Sequence, residues 1–453
     1  MTFIYKFENQ KSINIPMAKK LSKIPFVFLA IIALLTILFP SVPQKMYEGD
    51  YNYADIAWML SATALVLIMT PGLAFFYGGM VNKKNVISTM LQSFICMVII
   101  SVIWVVFGFS LAFGESVGGI FGNPLTYFMM DGVIDGEPWK LAPTIPFVLF
   151  AFYQLKFAII TPALITGAFS ERIKFISYVL FICLFFVFIY APLAHATWHP
   201  DGILFEMGVL DFAGGTVVHM SAGWAALASA LFLKKRREVN HNPARVTYVL
   251  IGTGLLWFGW IGFNGGSAYG ATTLAAIALA NTTAASASAA LAWIFFDSYK
   301  GKKPSAMGTC IGAVVGLVAI TPAAGFVTIP HALLIGVIAS IISNLLVEWR
   351  TRTSIDDTLD VFPCHGVGGM VGMLLTGVFA HTSINSGIEN GNGLFFGETK
   401  LFFAHLIALV GCSIFAFFGS YLLLKITNMI TPLRVDEEDE ALGLDISQHG
   451  EKL

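Results

Sequence analysis

Two histidines lie deep inside apolar stretches of matched design. Asp211-Phe212-Ala213-Gly214-Gly215-Thr216-Val217-Val218-His219 opens one stretch, and Asp360-Val361-Phe362-Pro363-Cys364-His365-Gly366 opens a later one. Each has an aspartate at its start, a histidine inside and small residues after it. An ionisable side chain within an apolar span is costly to insert and marks a candidate functional site. Neutral imidazoles can hydrogen-bond each other through one nitrogen each and turn their other edges to a lumen. Such a pair can take a proton from a cationic substrate and relay it. Taken singly, either histidine reads as a helix-packing residue. Their matched placement points to a duplicated architecture with one shared site near the midplane.

The other histidines are weaker candidates. His195 follows Pro192 near the end of an apolar stretch, and His199, His241 and His449 read as solvent-exposed. His331, His381 and His405 fall near helix ends, where capping or interfacial roles are expected. Asp211 occupies an N-cap position. It is either a cap alone or a cap that also gives an outer vestibule a negative potential, which would concentrate a cation. Asp360 reads as its counterpart.

Phenylalanine is abundant, 40 residues in all, so most rings must be packing or lipid-facing. Three aromatic contexts stand apart: Phe157 within Gln154-Leu155-Lys156-Phe157, Trp198, and Trp260-Ile261-Gly262-Phe263-Asn264-Gly265-Gly266-Ser267. A ring face attracts a small cation, by about 0.5–2 kcal/mol. A neighbouring serine hydroxyl accepts a hydrogen bond from an N–H donor, which a potassium ion does not have. The alternative is an interfacial aromatic belt.

These residues must be positioned by membrane-spanning helices. The 453 residues are 57% hydrophobic and 12% charged, with mean hydropathy +0.77. A soluble chain carries about 25% charge. The apolar blocks reach the roughly 20 residues that a helix needs to cross a bilayer. The sequence therefore predicts an all-α polytopic membrane protein. Net charge is −1, which removes any bulk electrostatic argument for nucleic acid. The five cysteines are scattered through apolar segments without a C-x-x-C pair, so neither a disulfide framework nor a metal site is indicated.

Eleven spans are expected, at about 56–81, 86–113, 145–168, 173–196, 211–233, 246–267, 271–297, 305–321, 330–350, 359–380 and 401–427. Basic residues follow alternate spans: Lys83 and Lys84; Arg172 and Lys174; Lys234, Lys235, Arg236, Arg237 and Arg245; Lys300, Lys302 and Lys303; Arg350 and Arg352. Lys140 and Lys400 are the exceptions. This alternation predicts a mature N-terminus outside and a cytoplasmic C-terminus. Spans one to five and six to ten then form two inverted five-helix halves plus a last helix, with His219 and His365 on the fifth helix of each half.

Residues 1–45 read as an N-terminal signal peptide, cleaved or retained: Lys19, Lys20 and Lys23 precede an apolar run from Ile24 to Phe39, and Met17 is an alternative start. Residues 46–430 form the transmembrane domain. Residues 431–453 form a polar cytoplasmic tail containing Asp436-Glu437-Glu438-Asp439-Glu440.

From about Ala54 to Glu451 the chain resembles the ammonium transporter family, the Amt branch of the ammonium transporter/Rhesus superfamily. The resemblance rests on D-F-A-G-G-T-V-V-H at Asp211–His219, G-A-F-S-E-R at Gly167–Arg172, and G-F-N-G-G-S-A at Gly262–Ala268. I-T-P-A-A-G at Ile320–Gly325, H-G-V-G-G at His365–Gly369, and the tail from Leu433 to Asp445 with His449–Glu451 add to it. It implies a non-enzymatic transporter without cofactor, a homotrimer in the inner (plasma) membrane with one pore per subunit. Trp198, Ser267 and Phe157 would recruit ammonium, with Asp211 behind them. Phe157 and Phe263 would form the gate. His219 and His365 would line the pore, with Trp260 and Thr321 near its wall. A PII-type signalling protein is an implied partner at the cytoplasmic face. Lys156 departs from the family pattern, which has an uncharged residue there. Two rival readings are an ammonium sensor that conducts little and a haem oxidoreductase with histidine axial ligands.

Overall fold

The structure, a computed structural model, describes residues 24–239 and 242–453. Lys19, Lys20, Lys23, Met17 and His241 lie outside the described residues. The rest is almost wholly helical, with one two-stranded hairpin, Ser116–Val117 against Phe121–Gly122.

Among the described residues, ten helices are long and apolar enough to cross a membrane. They are Tyr53–Met80, Lys83–Phe113, Phe147–Phe169, Phe175–Glu206, Gly215–Leu233, Val246–Ala268, Thr273–Tyr299, Ile329–Thr351, Phe362–Phe379 and Lys400–Ile430. The chain is thus a multi-pass membrane protein. The eighth expected span is a helix too, Ala306–Ile320, but its 15 residues leave it shorter than the others. Helices suit this setting because they satisfy every backbone group internally. Four of the α-helix starts carry side-chain caps: Asn52, Thr272, Ser305 and Thr328 each accept a hydrogen bond from an amide of the first turn.

The first helices of the two expected halves, Tyr53–Met80 and Val246–Ala268, pack on each other through glycines. A Cβ on Gly79 would lie 2.7 Å from the Arg245 carbonyl oxygen, and one on Gly252 would lie 2.3 Å from the Phe76 amide. Without a hydrophobic force between helices in lipid, such close approach supplies the packing energy.

The basic loops are knitted together on one face, termed here the basic face. Buried Arg236 binds Glu171 and Asp356, both at 2.9 Å. Lys84 pairs with Glu238 at 3.0 Å, and Lys300 with Glu348 at 2.7 Å. The acidic tail is docked here. The Lys174 amide donates to the Leu433 carbonyl (2.8 Å) and the Val435 amide to the Arg172 carbonyl (3.0 Å). Asn85 makes no side-chain cap for the helix it precedes. Asp445 takes over that role, accepting from the Ser88 amide at 2.7 Å, while Asn85 Oδ1 accepts from the Leu444 amide at 2.8 Å. His449, expected to be exposed, is partly buried with its ring edge-on to Phe175 at 5.0 Å.

The helix Ile24–Leu38 covers the apolar core of the expected signal segment. It meets the body through Phe39, edge-on to Phe128 at 5.3 Å, and through Ser41, which donates to the Met129 carbonyl.

Candidate functional site

At the end away from the basic face, four aromatic residues and a serine converge. Phe157 comes from the middle of Phe147–Phe169, Trp198 from the end of Ala191–Trp198, and Ser267 from the turn Gly266–Ala268. Phe157 and Phe263 stack with centroids 4.2 Å apart and planes at 28°. Trp198 stands edge-on to Phe157 at 5.8 Å. Tyr153, which the sequence did not single out, packs edge-on against Phe157 at 5.1 Å. Its hydroxyl lies 3.0 Å from the Gly262 carbonyl, 2.9 Å from the Phe263 carbonyl and 3.3 Å from Ser267 Oγ. Ser267 Oγ donates to the Phe263 carbonyl at 2.9 Å. That bond commits its only proton and leaves oxygen lone pairs for an N–H donor. Only its place one turn before Phe157 could have flagged Tyr153.

Asp211 is not among these contacts. It is buried behind them, and its carboxylate accepts from the amides of Gly214 (2.8 Å), Gly215 (2.5 Å) and Thr216 (2.7 Å) and from Thr216 Oγ1 (2.5 Å). Its own carbonyl accepts from Trp198 Nε1 at 3.0 Å. Asp211 therefore holds both Trp198 and the turn leading to His219.

Below the stacked phenylalanines lie the two histidines. Both sit in wide π-helical turns, Gly215–Met220 and Phe362–Val367. Such turns are rare and concentrate at functional sites. The two helices meet where Gly223 faces Gly366; a Cβ on Gly223 would lie 2.1 Å from the Gly366 Cα. This approach brings His365 Nδ1 to 3.4 Å from His219 Nδ1. The rings are 5.5 Å apart at 27°. His219 also stacks on Trp260 at 5.4 Å and 17°, and Trp260 Nε1 donates to Thr321 Oγ1 at 2.9 Å. Thr321 thus braces the wall from behind Trp260.

The chamber around the pair is apolar: Met69, Leu73, Phe76, Ile160, Leu164, Val218, Leu256, Trp260, Phe263 and Val314 line it with the two histidines. His219 Nε2 is buried in it without a hydrogen-bond partner. A second chamber shares Phe76, Val314 and His365 and adds Met80, Ile311, Leu359 and Cys364. A third, on the basic face, shares Met80, Ile311 and Leu359 and adds Arg236, Arg350 and Asp360. The chambers adjoin in a row from the histidines to the basic face.

Three expectations are corrected. Asp360 is not the counterpart of Asp211. It adopts φ 56° and pairs with Arg350 Nε at 2.7 Å. The counterpart is Asp357, whose Oδ2 accepts from the Phe362 amide at 2.7 Å. His199 is also not solvent-exposed: at 7% relative exposure it is buried against His195. His405 lies near the start of Lys400–Ile430, as expected, but is fully buried rather than capping or interfacial, accepting from the Leu210 amide and facing the Met373 carbonyl.

Lys156 stays out of the site. Phe157 beside it is 1% exposed, whereas Lys156 is partly exposed in a stripe with Val148 and Phe152 at four-residue intervals. Residues four apart share one helix face.

Comparison with known proteins fits this geometry. The model of the Ammonium Transporter Family matches residues 57–453. The chain is 42% identical over 400 residues to the ammonium transporter of Bacillus subtilis, covering 88% of this chain and 98% of that one. It superposes on the crystal structure of Saccharomyces cerevisiae Mep2 with TM-score 0.81 and 33% identity, covering 86% and 89% of the two chains. A solved protein titled Sensor Amt Protein matches at TM-score 0.80 and 29% identity, covering 88% and 98%. On this evidence the chain belongs to the ammonium transporter family, whose members move a substrate across a membrane and are not enzymes.

Proposed function

We propose that the protein carries ammonium across the inner (plasma) membrane as a homotrimer. Each subunit would have eleven spans in two inverted halves plus a last helix, with its own pore. The short helix Ala306–Ile320 serves as the eighth span. Basic loops and tail face the cytoplasm, the mature N-terminus lies outside, and residues 1–45 act as the signal segment. The tail face is where a PII-type partner would bind.

The observation that carries this reading is the stacked Phe157–Phe263 pair closing the approach to two paired histidines in an otherwise apolar chamber. Ammonium is recruited beside Trp198, Phe157 and Ser267. The ring faces attract its charge, and Ser267 Oγ accepts an N–H. A bare charge does not enter a dry apolar chamber, so the ion gives up a proton at the gate. Ammonia passes His219 and His365, and the proton follows through the imidazole pair, one ring accepting as the other donates. A potassium ion has no proton to surrender and is refused.

The test is current from proteoliposomes of purified protein after an ammonium pulse, with potassium as control. An ammonium-specific current is expected, and His219→Ala or His365→Ala should abolish it or weaken selectivity over potassium. Unchanged current and selectivity in both variants would overturn the mechanism. The sensor reading has one support, the likeness to the Sensor Amt Protein. It is preferred if neither current nor ammonia flux appears while ammonium still binds.

A further inference from the structure

The end of the helix carrying Trp198 is closed in an unusual way. His199 is its C-cap residue; its amide donates to the His195 carbonyl at 3.0 Å. The His199 ring folds back one turn and stacks on His195, with centroids 4.4 Å apart and planes at 17°. Both rings are buried, at 0% and 7% exposure. Trp139 of the loop before Phe147–Phe169 covers His199 edge-on at 5.3 Å. Trp198 lies between the two histidines in the same turn, and its indole reaches Asp211 and Phe157.

The hydrogen bonds define the charge state this stack requires. His195 Nδ1 faces the Ala112 carbonyl at 3.1 Å, which only accepts, so Nδ1 carries the proton. His195 Nε2 then accepts from Ser116 Oγ at 2.9 Å. His199 Nδ1 accepts from the Asp201 amide at 3.1 Å, so that nitrogen needs its lone pair. Two neutral rings satisfy these contacts, with the single Ser116 proton on the 2.9 Å bond to Nε2 rather than on the longer 3.3 Å approach to the Asp201 carbonyl. A proton on His199 Nδ1 would oppose the Asp201 amide, and a charge on either ring would repel charge on the other. The charged groups facing the pair are the Asp201 carboxylate, 3.8 Å from His199 Nδ1 and largely exposed, and Lys140 of the same outer loop as Trp139. One favours and one opposes a proton on His199.

We infer that the His195–His199 stack is a positioning element for Trp198 that holds only while both rings are neutral, so that affinity for ammonium falls as the outside is acidified. This rests on the transport reading above. His195 and His199 do not touch substrate; they act through Trp198.

The experiment measures KM and maximal rate of ammonium flux in proteoliposomes, with equal pH on both sides, from about pH 7.5 to about pH 5.5, where histidine titrates. For the unaltered protein KM should rise about threefold or more with less change in maximal rate, the pattern of lost substrate binding. His199→Phe keeps a stacking ring that cannot take a proton, and its KM should stay low and flat across the range. His195→Gln keeps a donor for Ala112 and an acceptor for Ser116, and should flatten the profile as well. His199→Ala removes the ring and should raise KM at every pH. A pH-independent KM in the unaltered protein, or an unaltered pH profile in both His199→Phe and His195→Gln, overturns the inference and leaves transport standing. Absence of ammonium flux at every pH overturns both.

Discussion

Asp211 and Asp357 stand in one relation to the two buried imidazoles. Each lies eight residues ahead of its histidine, and each accepts with Oδ2, at 2.7 Å, the amide of the fifth residue after it, Thr216 or Phe362. Both carboxylates sit under a π-helical turn and hold it open. Removing one strands buried amides, at about 1–3 kcal/mol for each unsatisfied group. Asp211→Ala should therefore lower the thermal midpoint in detergent by several degrees and abolish flux, and Asp357→Ala should do so to a smaller extent. A fully stable and active Asp357→Ala protein would remove Asp357 from this role.

The contact between Gly223 and Gly366 sets how near the histidines can come. An added Cβ at Gly223 would fall 2.1 Å from the Gly366 Cα and 2.2 Å from its amide nitrogen. Backbone is the obstacle, so the helices must separate, at about 1–3 kcal/mol for overpacking. Gly223→Ala should keep the fold but lose most ammonium flux, as read by proteoliposome current beside gel filtration. Normal current would mean that the close histidine pair is not needed.

Much of this was readable in the chain. The helices declare themselves by length and apolarity, and His219, His365, Trp198, Phe263 and Ser267 stand out because polar or aromatic side chains interrupt apolar runs. Asp357 was missed because it lies in a polar loop where Asp360, nearer the apolar stretch, drew the assignment. Spacing from the histidine would have found it. The π-helical turns leave no hydrophobic period to read. His199 looked exposed because only tertiary contacts, the His195 ring and Trp139, bury it. Where the acidic tail docks was not readable, because nothing local reveals that Asn85 lacks a cap of its own.

Lys156 shares the outward stripe of Val148 and Phe152, and its long apolar stem can follow that surface towards water. Lys156→Met should leave ammonium affinity and selectivity over potassium unchanged, within about twofold by the same current assay. A marked gain in either would mean that the charge reaches the conducting path.

Docking of the tail carries a pH dependence of definite sign. Burial lowers the affinity of His449 for a proton in the docked state. Docking is then fully favoured above the free-histidine value of about 6.5 and weakens as pH falls through it. Burial raises the Asp445 carboxyl, which offsets this loss only at still lower pH, near the carboxylate range. Limited proteolysis of the tail should accelerate between about pH 7 and about pH 5.5, and His449→Phe should remove the acceleration.

Asp445 finishes the start of the helix Val86–Ile103, accepting from the Ser88 amide 357 residues earlier in the chain. A ribosome makes that helix long before its cap. Until Asp445 emerges, the first amides after Asn85 stay open on the basic face. A message that stops between Ile430 and Asp445 would therefore yield a protein with the described membrane helices present and one helix end unsealed. That defect is local, solvent-facing and identical in every such product, which makes it a fixed mark of incompleteness for proteases to read.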